Sequence, residues 1–328
     1  MGEQGNHKVF DIGKTGFDAL ALEIFRLQVT LNPVYRDYTA ALHINPEAVT
    51  SLEQIPFLPI RFFKTHPVQA GLFEPAVIFE SSGTTGNINS RHLVKDLSLY
   101  EQSFTKGFEL FYGPVEDWCI IGLLPSYLER KNASLVYMTD KLIRLSGHPQ
   151  SGFYLDEYEK LATVLNELEQ KQQKTLLIGV TFALLDFAGT LMNTSLMHTT
   201  IMETGGMKGR KKEMIREEVH AILKEKFGVP AIHSEYGMTE LLSQAYSKGG
   251  GIFNCPPWMK ILLRDDEDPL LIKSSGSGAV NIIDLANIHS CSFIATDDAG
   301  KLYADESFEI LGRMDGSDLR GCGLMVVQ

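Results

Sequence analysis

The sequence has few of the residues that build disulfide scaffolds or metal ribbons. Its 328 residues include four cysteines, which are widely separated and form no C-x-x-C pair. Zinc ribbons need C-x-x-C pairs, and four cysteines in a chain of this length do not suggest a disulfide scaffold, so the pattern predicts a reducing, cytoplasmic location. Long apolar runs are missing too, because Asp186 and Gly189 interrupt the most apolar stretch, residues 176–192. That stretch is short for a membrane span, and we predict a core strand and helix there.

Positive charge is also scarce. Lysine and arginine number 30 against 41 aspartates and glutamates, which gives a formal net charge of −11. Proteins that bind nucleic acid by bulk electrostatics carry the opposite excess, so no nucleic-acid partner is predicted. The G-x-x-x-x-G-K-[ST] loop of P-loop proteins is absent. The chain does contain 44% hydrophobic and 22% charged residues, which is the composition of a globular protein with a substantial core.

Amphipathic helices alternate with short apolar strands along the chain, a pattern typical of an α/β sheet. In the clearest helix, Asp156 can cap the first turn and Leu161, Leu165 and Leu168 share one face. Another helix carries Ile215 on its apolar face. The predicted helices are 17–31, 156–173 and 212–227, and the predicted strands are 77–79, 117–124, 176–180 and 231–232. From about residue 255, short strands separated by Gly, Asp and Asn turns predict an antiparallel, β-rich subdomain.

A run of small residues follows the first of these strands. It consists of Ser81, Ser82, Gly83, Thr84, Thr85 and Gly86. Glycine lets the backbone approach a ligand closely, and successive N–H groups and hydroxyls can then surround an anion. The run therefore indicates a phosphate-binding loop, although a polar surface turn would have a similar composition.

A second candidate site is the segment Tyr236-Gly237-Met238-Thr239-Glu240 at a predicted strand end. Open α/β sheets bind ligands at such ends. An aromatic ring can stack on a base, a hydroxyl can donate to a phosphate oxygen, and a carboxylate can hold Mg²⁺. The alternative is a helix start capped by Thr239 and Glu240. His92 and His233, which flank the two segments, are candidates for nucleotide contact, and no histidine pair has metal-ligand spacing.

Two further segments are Thr296-Asp297-Asp298 and Gly312-Arg313-Met314-Asp315. A carboxylate that follows a strand can accept both hydroxyls of a ribose, and a nearby arginine can bind ribose or phosphate oxygens. The alternative is a hairpin turn over 297–300 and a second loop over 312–316.

Together, in this order, the four motifs resemble those of the adenylate-forming superfamily, which includes acyl-CoA synthetases, luciferase-like enzymes and peptide-synthetase adenylation domains. The chain is most similar to the acyl-protein synthetases of the bacterial bioluminescence fatty-acid reductase complex, and phenylacetate–CoA ligase is a related family. The closer resemblance is carried by the segments 58–64, 124–130, 203–209 and 319–322.

The resemblance implies an α/β fold, namely the large core of adenylate-forming enzymes with helix-flanked sheets and a small β-rich subdomain. It implies ATP and Mg²⁺ as cofactors, with Thr239 at the α-phosphate and Glu240 as the Mg²⁺ ligand. Tyr236 would face the adenine and Asp298 the ribose. The implied nucleotide-binding residues are Ser81, Ser82, Gly83, Thr84, Thr85, Gly86, Tyr236, Gly237, Asp298 and Arg313.

The implied reaction has two steps: a carboxylic acid, expected to be a fatty acid, forms an acyl adenylate with ATP, and a thiol then takes the acyl group. In the similar acyl-protein synthetases, a cysteine near the C-terminus accepts the acyl group and passes it to a reductase subunit. Cys322 lies at the matching place, where Arg320 can favour its thiolate. The alternative is that Cys322 is a small hydrophobic residue of a terminal strand.

The sequence departs from the superfamily pattern in two places. Ile88-Asn89-Ser90 stands where the loop usually ends in Pro-Lys-Gly. Members usually continue past the Gly-Arg-x-Asp motif into a mobile domain that carries a catalytic lysine, whereas this sequence ends at residue 328. We therefore expect an adenylate-forming core over 1–315, a short remnant over 316–328 with Cys322, and no mobile domain.

Two other functions fit the same residues. One is an acyl- or aryl-CoA ligase core that needs a domain supplied by another chain. The other is a nucleotide-binding scaffold without catalysis. The sequence does not identify the acyl chain or the final acceptor, which could be a protein thiol or CoA.

Overall fold

The computed structural model of the chain describes residues 9–12, 16–81, 88–124, 132–155, 157–191, 195–205, 214–265 and 267–314. The predicted loop residues 82–86, the predicted cap Asp156 and the candidate acceptor Cys322 lie outside these ranges. None of the helices within these ranges combines the length and the apolar character that crossing a bilayer requires.

The described residues contain eight α-helices. They are α1 Phe17–Leu31, α2 Pro33–Ala41, α3 Phe62–Thr65, α4 Leu97–Tyr112, α5 Ser134–Ser146, α6 Tyr158–Gln170, α7 Thr181–Ala188 and α8 Arg216–Phe227. Helix α2 begins with Pro33, and the side chain of Asn32 accepts a hydrogen bond from the N–H of Tyr35 at 3.1 Å. Helix α8 ends because Gly228 adopts a left-handed φ of 64°.

Fifteen strands are described. They are β1 Leu58–Pro59, β2 Val77–Glu80, β3 Arg91–Val94, β4 Cys119–Leu123, β5 Gly152–Phe153, β6 Thr175–Val180, β7 Thr199–Thr204, β8 His233–Tyr236, β9 Ala245–Ser247, β10 Phe253–Asn254, β11 Met259–Arg264, β12 Ile272–Lys273, β13 Gly276–Asp284, β14 Phe293–Leu302 and β15 Phe308–Arg313. Thirteen of them form one sheet in the order β12-β11-β13-β14-β15-β10-β9-β8-β7-β6-β4-β5, with β1 beside β14. The hairpin β2–β3 stands apart.

The sheet has a parallel half and an antiparallel half. Strands β4 to β8 pair in parallel, and helices α7 and α8 connect β6, β7 and β8. Their carboxyl ends therefore meet at one edge, where Tyr236 is the last residue of β8. From β9 onward the path is antiparallel. The predicted α/β class and the antiparallel last third are thus confirmed, while the domain boundaries remain a prediction.

The antiparallel strands are longer than the sequence predicted. Residues 297–300 lie inside β14, so the predicted alternative of a hairpin turn is wrong, and Gly312 and Arg313 likewise lie in β15 rather than in a loop. The charged pair Asp297-Asp298 suggested a turn because strands usually avoid Asp. It is tolerated here because Asp297 pairs with Arg61 and Asp298 accepts a hydrogen bond from the Tyr236 hydroxyl.

One helix prediction and one strand prediction also change. Helix α8 begins at Arg216, and Ile215 precedes it with 63% of its surface exposed, so Ile215 is not part of a buried face. The strand predicted at 231–232 lies instead at His233–Tyr236. Helix α6 is confirmed, and its residues Leu161, Leu165 and Leu168 are buried as predicted.

Helix α1 is hydrogen-bonded to the connection between β13 and β14, which is distant in sequence. The side-chain amide of Gln28, in α1, donates to the carbonyls of Asn287 and Ile288, each at 3.1 Å, and accepts from the N–H of Ser292 at 2.9 Å. Gln28 is fully buried. Its amide satisfies backbone groups that would otherwise lie unpaired in the core.

Replacing Gln28 by leucine should therefore lower the free energy of unfolding by about 2–4 kcal/mol, because several buried polar groups lose their partners. Urea unfolding followed by tryptophan fluorescence measures the change. Gln170→Leu, at an exposed position near the end of α6, is the matched control and should cost far less. Equal losses for the two variants would contradict a special role for Gln28.

Candidate active site

The hairpin β2–β3 holds the neck of the predicted phosphate loop. Ser81 and Ser90 face each other across it: the N–H of Ser81 donates to the carbonyl of Ser90 at 3.1 Å, and the N–H of Ser90 donates to the hydroxyl oxygen of Ser81 at 2.9 Å. The hydroxyl of Ser81 thus helps to close the neck. Loop residues Ser82, Gly83, Thr84, Thr85 and Gly86 lie outside the described residues.

Tyr236, Asp298 and Arg313 come together at the carboxyl edge of the sheet. The Tyr236 hydroxyl donates to Asp298 Oδ2 at 2.8 Å, and Arg313 lies directly opposite Asp298 in the ladder, with Nε 3.7 Å from Oδ1. Burial raises the pKa of Asp298, while the Tyr236 hydrogen bond and the Arg313 charge work against that increase. The Asp298 side chain is 13% exposed and that of Arg313 82%, so the pair joins a sheltered carboxylate to a solvent-facing cation.

Thr239 and Glu240 lie in the turn that connects β8 to β9. No helix starts there, so the predicted alternative of a capped helix is wrong. Glu240 is 5% exposed. Burial raises the pKa of its carboxyl, whereas a hydrogen bond from the Ser90 hydroxyl and the charges of Arg313 and Lys64 oppose the increase. Ser90, at the neck of the loop, and the exposed Arg313 therefore both favour the ionised form of the Glu240 carboxyl.

The backbone of this turn is bound by side chains that belong to none of the four motifs. His92, in β3, places Nδ1 2.8 Å from the carbonyl oxygen of Thr239, and Asn287 donates to the carbonyl of Glu240 at 2.8 Å. Asp284 accepts hydrogen bonds from the N–H groups of Leu242 at 2.7 Å and Ser243 at 3.0 Å. His92, Asn287 and Asp284 are all buried.

Beneath Gly237 lies a second buried carboxyl, that of Glu235. A Cβ on Gly237 would stand 2.4 Å from Glu235 Oε1, so a larger residue would force this buried, hydrogen-bonded carboxyl to move. Thr204 donates to Glu235 Oε2 at 2.5 Å. Burial raises the pKa of Glu235 to about 7; the Thr204 hydrogen bond lowers it, and the charge of Glu203 raises it further. Because the carboxyl fills the space under the motif, the glycine at position 237 is a packing requirement.

The segment 58–64 borders the same site. Strand β1 pairs with β14 in parallel, with Leu58 opposite Ile294, and Arg61 then lies 3.3 Å from Asp297 Oδ2. Phe63, two residues further, packs edge-on against His92 with ring centroids 5.9 Å apart. This segment thus braces both the Thr-x-Asp strand and the histidine behind Thr239.

Comparison with known proteins identifies the family. The family profile described as acyl-protein synthetase, LuxE, matches residues 11–328. The chain belongs to the LuxE acyl-protein synthetase family. It is therefore an enzyme, an acid–thiol ligase, as predicted.

A curated relative and two solved structures agree with this assignment. The long-chain-fatty-acid–luciferin-component ligase of Vibrio harveyi is 24% identical, over 90% of this chain and 83% of the relative. An open 2-hydroxyisobutyryl-CoA ligase in complex with 2-HIB-AMP and CoA is 11% identical, with a TM-score of 0.61 over 91% of this chain and 74% of that one. ATP-bound MatB from Rhodopseudomonas palustris is 16% identical, with a TM-score of 0.55 over 86% of this chain and 58% of that one. At such identities the two structures show the fold, which is the predicted core of adenylate-forming enzymes.

The described cysteines of this family member are poor acyl acceptors. Burial raises the pKa of the Cys119 thiol to about 11 and that of Cys291 to about 12, and it also raises the pKa of Cys255. Thiolates are the reactive form, so these three thiols are inert near neutral pH.

Metal ligation within the described residues would depend on few protein groups. Those residues contain no cluster of three or more His, Cys, Asp or Glu that could hold a metal ion. Mg²⁺ in nucleotide sites is commonly held by one or two carboxylates together with phosphates and water. Glu240, a buried carboxyl whose pKa is raised, fits that chemistry because a cation would stabilise its charged form.

Sequence reasoning missed the buried residues that hydrogen-bond the backbone of the turn with Thr239 and Glu240. The prediction that His92 and His233 contact the nucleotide is not supported: His92 binds the backbone of Thr239, and His233 lies at the start of β8 with Tyr112, at the other end of the strand. Asp284 and Asn287 had no sequence signal, since single Asp and Asn residues in turns are common. Glu235 could have been noticed, because a carboxylate directly precedes the Tyr-Gly motif.

The raised pKa of Glu235 predicts a pH-dependent stability. In the unfolded chain a glutamate ionises near pH 4.5, but in the folded protein it stays protonated to about pH 7. The unfolded state thus loses its proton first, and this group's contribution to stability is lost as the pH rises from about 4.5 through 7.

Replacing Glu235 by glutamine should remove that loss. The free energy of unfolding of the variant, relative to the unchanged protein, should increase by about 2–3 kcal/mol between pH 5 and pH 8. Urea unfolding at several pH values measures it, with Glu218→Gln on the exposed face of α8 as the control. A pH-independent difference would show that Glu235 ionises normally.

Proposed function

We propose that this acyl-protein synthetase uses ATP and Mg²⁺ to convert a carboxylic acid to an acyl adenylate and then transfers the acyl group to a thiol. The observation that carries the proposal is the convergence of Tyr236, Asp298, Arg313 and the Thr239-Glu240 turn at the carboxyl edge of the sheet, beside the neck of the Ser/Thr/Gly loop. Similar folds whose structures contain ATP or an acyl-AMP support a nucleotide in this place.

The first step forms one P–O bond and breaks another. A carboxylate oxygen of the acid attacks the α-phosphorus of ATP, and the bond to the β-phosphate oxygen breaks, so pyrophosphate leaves. The Ser/Thr/Gly loop, with residues Ser82–Gly86, would bind the triphosphate, and Thr239 would donate to the α-phosphate. Glu240 would hold Mg²⁺, which when bound neutralises phosphate charge.

The base and ribose would be held by the remaining residues. Asp298 would accept the ribose hydroxyls, since Tyr236 binds Oδ2 and Oδ1 lies 3.7 Å from Arg313 Nε, beyond hydrogen-bond distance. Tyr236 would present its ring to the adenine while its hydroxyl fixes Asp298. Arg313, largely exposed, would reach ribose or phosphate oxygens.

The proposed acid is a fatty acid. The relative from Vibrio harveyi is named a long-chain-fatty-acid–luciferin-component ligase, and the similarity covers 90% of this chain and 83% of the relative. A cytoplasmic location remains a prediction from the cysteine pattern.

The second step would use Cys322 as the acceptor. Its sulfur would attack the acyl carbonyl, the bond to AMP would break, and the thiol proton would pass to solvent. The raised pKa values of Cys119, Cys255 and Cys291 support this choice, because they disfavour the thiolate at each of the described alternatives. A partner protein, in the simplest case a reductase, would then receive the acyl group.

A CoA ligase that needs a domain in trans is the second candidate. The likeness to a CoA ligase of known structure favours it. Turnover that requires CoA and continues without Cys322 would support it over acyl transfer to protein.

Acid activation predicts exchange of labelled pyrophosphate into ATP. Exchange should depend on Mg²⁺ and on a fatty acid, and Glu240→Gln should lower kcat by about a hundredfold, because the metal loses its protein ligand. Glu218→Gln should retain full exchange. If no acid in a panel of fatty and aromatic acids supports exchange by the unchanged protein, the proposed function is wrong.

Acyl transfer to Cys322 predicts a covalent adduct. After incubation with ATP, Mg²⁺ and the active acid, intact-mass spectrometry should show one acyl group that hydroxylamine removes. Cys322→Ala should abolish the adduct but retain pyrophosphate exchange, and Cys255→Ala should keep both. A labile adduct that persists in Cys322→Ala would identify another acceptor.

A further inference from the structure

Two buried side chains outside all four motifs bind the backbone of the turn that carries Thr239 and Glu240. We propose that His92 and Asn287 are positioning residues that set the geometry of Thr239 and Glu240 and couple it to the phosphate-loop hairpin. This inference rests on the function proposed above for that turn.

The contacts are specific. His92 Nδ1 lies 2.8 Å from the Thr239 carbonyl oxygen, and His92 Nε2 lies 3.0 Å from Asn287 Oδ1. The Asn287 amide nitrogen donates to the carbonyls of Glu240 at 2.8 Å and Cys291 at 3.0 Å. Because its two N–H groups are directed at carbonyls, Asn287 must present its oxygen to His92.

The ring of His92 has little freedom. It is 1% exposed and packs edge-on against Phe63. Burial lowers its pKa to about 4, whereas the contacts with Thr239 and Asn287 oppose that decrease. Both ring nitrogens face oxygen acceptors, and the shorter contact joins Nδ1 to the Thr239 carbonyl. The contact with the Thr239 carbonyl is thus the closer of the two that hold the ring.

His92 also links two distant parts of the chain. It lies in β3, two residues after Ser90, which closes the loop neck and hydrogen-bonds the Glu240 carboxyl. A displacement of the hairpin would therefore move the Thr239 backbone and the Glu240 side chain together. Ser90 therefore contributes to this coupling through both its backbone N–H and its hydroxyl.

Catalysis is sensitive to such placement. A misplacement of about 1 Å can cost on the order of a hundredfold in rate. Thr239 and Glu240 would act on the phosphates during transfer, so an error in their position should lower kcat more than it raises the KM for ATP.

Two amide variants separate the contacts of His92. In His92→Asn the side-chain nitrogen lies near the place of Nδ1 and can keep the Thr239 hydrogen bond. In His92→Gln it lies near the place of Nε2 and keeps only the contact with Asn287. His233→Asn is the matched control, a partly buried histidine at the start of β8 whose partner is Tyr112.

We expect His92→Gln to lower kcat for pyrophosphate exchange by about 10- to 100-fold and to raise the Mg²⁺ concentration for half-maximal rate, with a change of less than about threefold in the KM for ATP. His92→Asn should recover most of kcat. His233→Asn should leave kcat and the Mg²⁺ requirement unchanged.

Amide hydrogen exchange gives a readout that does not need activity. In His92→Gln, a peptide over 236–244 should exchange about tenfold faster than in the unchanged protein, relative to a peptide over 279–284, and His92→Asn should not show this. Equal kcat and equal amide exchange for the two His92 variants would overturn the inference. If the unchanged protein exchanges no pyrophosphate, the proposed function fails, and amide exchange alone still decides whether His92 holds the turn.

Discussion

The turn after β8 carries its backbone polar groups into the protein interior, and each of these groups needs a hydrogen-bond partner there. Three buried side chains supply them: His92 and Asn287 bind the carbonyls of Thr239 and Glu240, and Asp284 accepts the N–H groups of Leu242 and Ser243. A buried carboxylate without a nearby cation is costly, and Asp284 meets that cost with four hydrogen bonds, including those from the Ser243 hydroxyl and the N–H of Ala286. The position of the turn is therefore set by the interior.

The same stretch of chain, residues 284–292, also holds the N-terminal part of the molecule. Gln28 binds its carbonyls, Asn32 donates to the carbonyl of Ser290 at 2.9 Å, and the Ser290 hydroxyl donates to the carbonyl of Val68 at 2.9 Å. Helices α1 and α2, the segment that leads to the hairpin, and the turn with Thr239 thus all meet at one connection. A substitution there should disturb the fold and the site together, which makes local and catalytic effects hard to separate except by isosteric variants such as those of His92.

Sequence patterns predicted the parts of this protein that depend on periodicity. The apolar spacing in α6 and the run of β6 were sufficient, because burial of one face determines those elements. The motifs also predicted which residues would meet at the carboxyl edge: Tyr236, Asp298 and Arg313 do so. The supporting hydrogen bonds could not be predicted, since His92 and Asn287 are 195 positions apart and neither belongs to a repeating pattern.

The electrostatics of the buried carboxyls at this edge of the sheet explain why hydrogen bonds must hold the site in place. Burial raises the pKa of Glu235, Glu240 and Asp298, so the interior of this edge disfavours negative charge, and the chain as a whole is acidic. Arg313 opposes the effect at both Asp298 and Glu240 from an exposed position. The Mg²⁺ of a nucleotide complex in the proposed place would add a further positive charge near Glu240 and stabilise its ionised form. The binding energy of the metal would then depend on its distance from the buried Glu240 carboxyl. His92 and Asn287 set the position of that carboxyl, because they hold the backbone of Thr239 and Glu240.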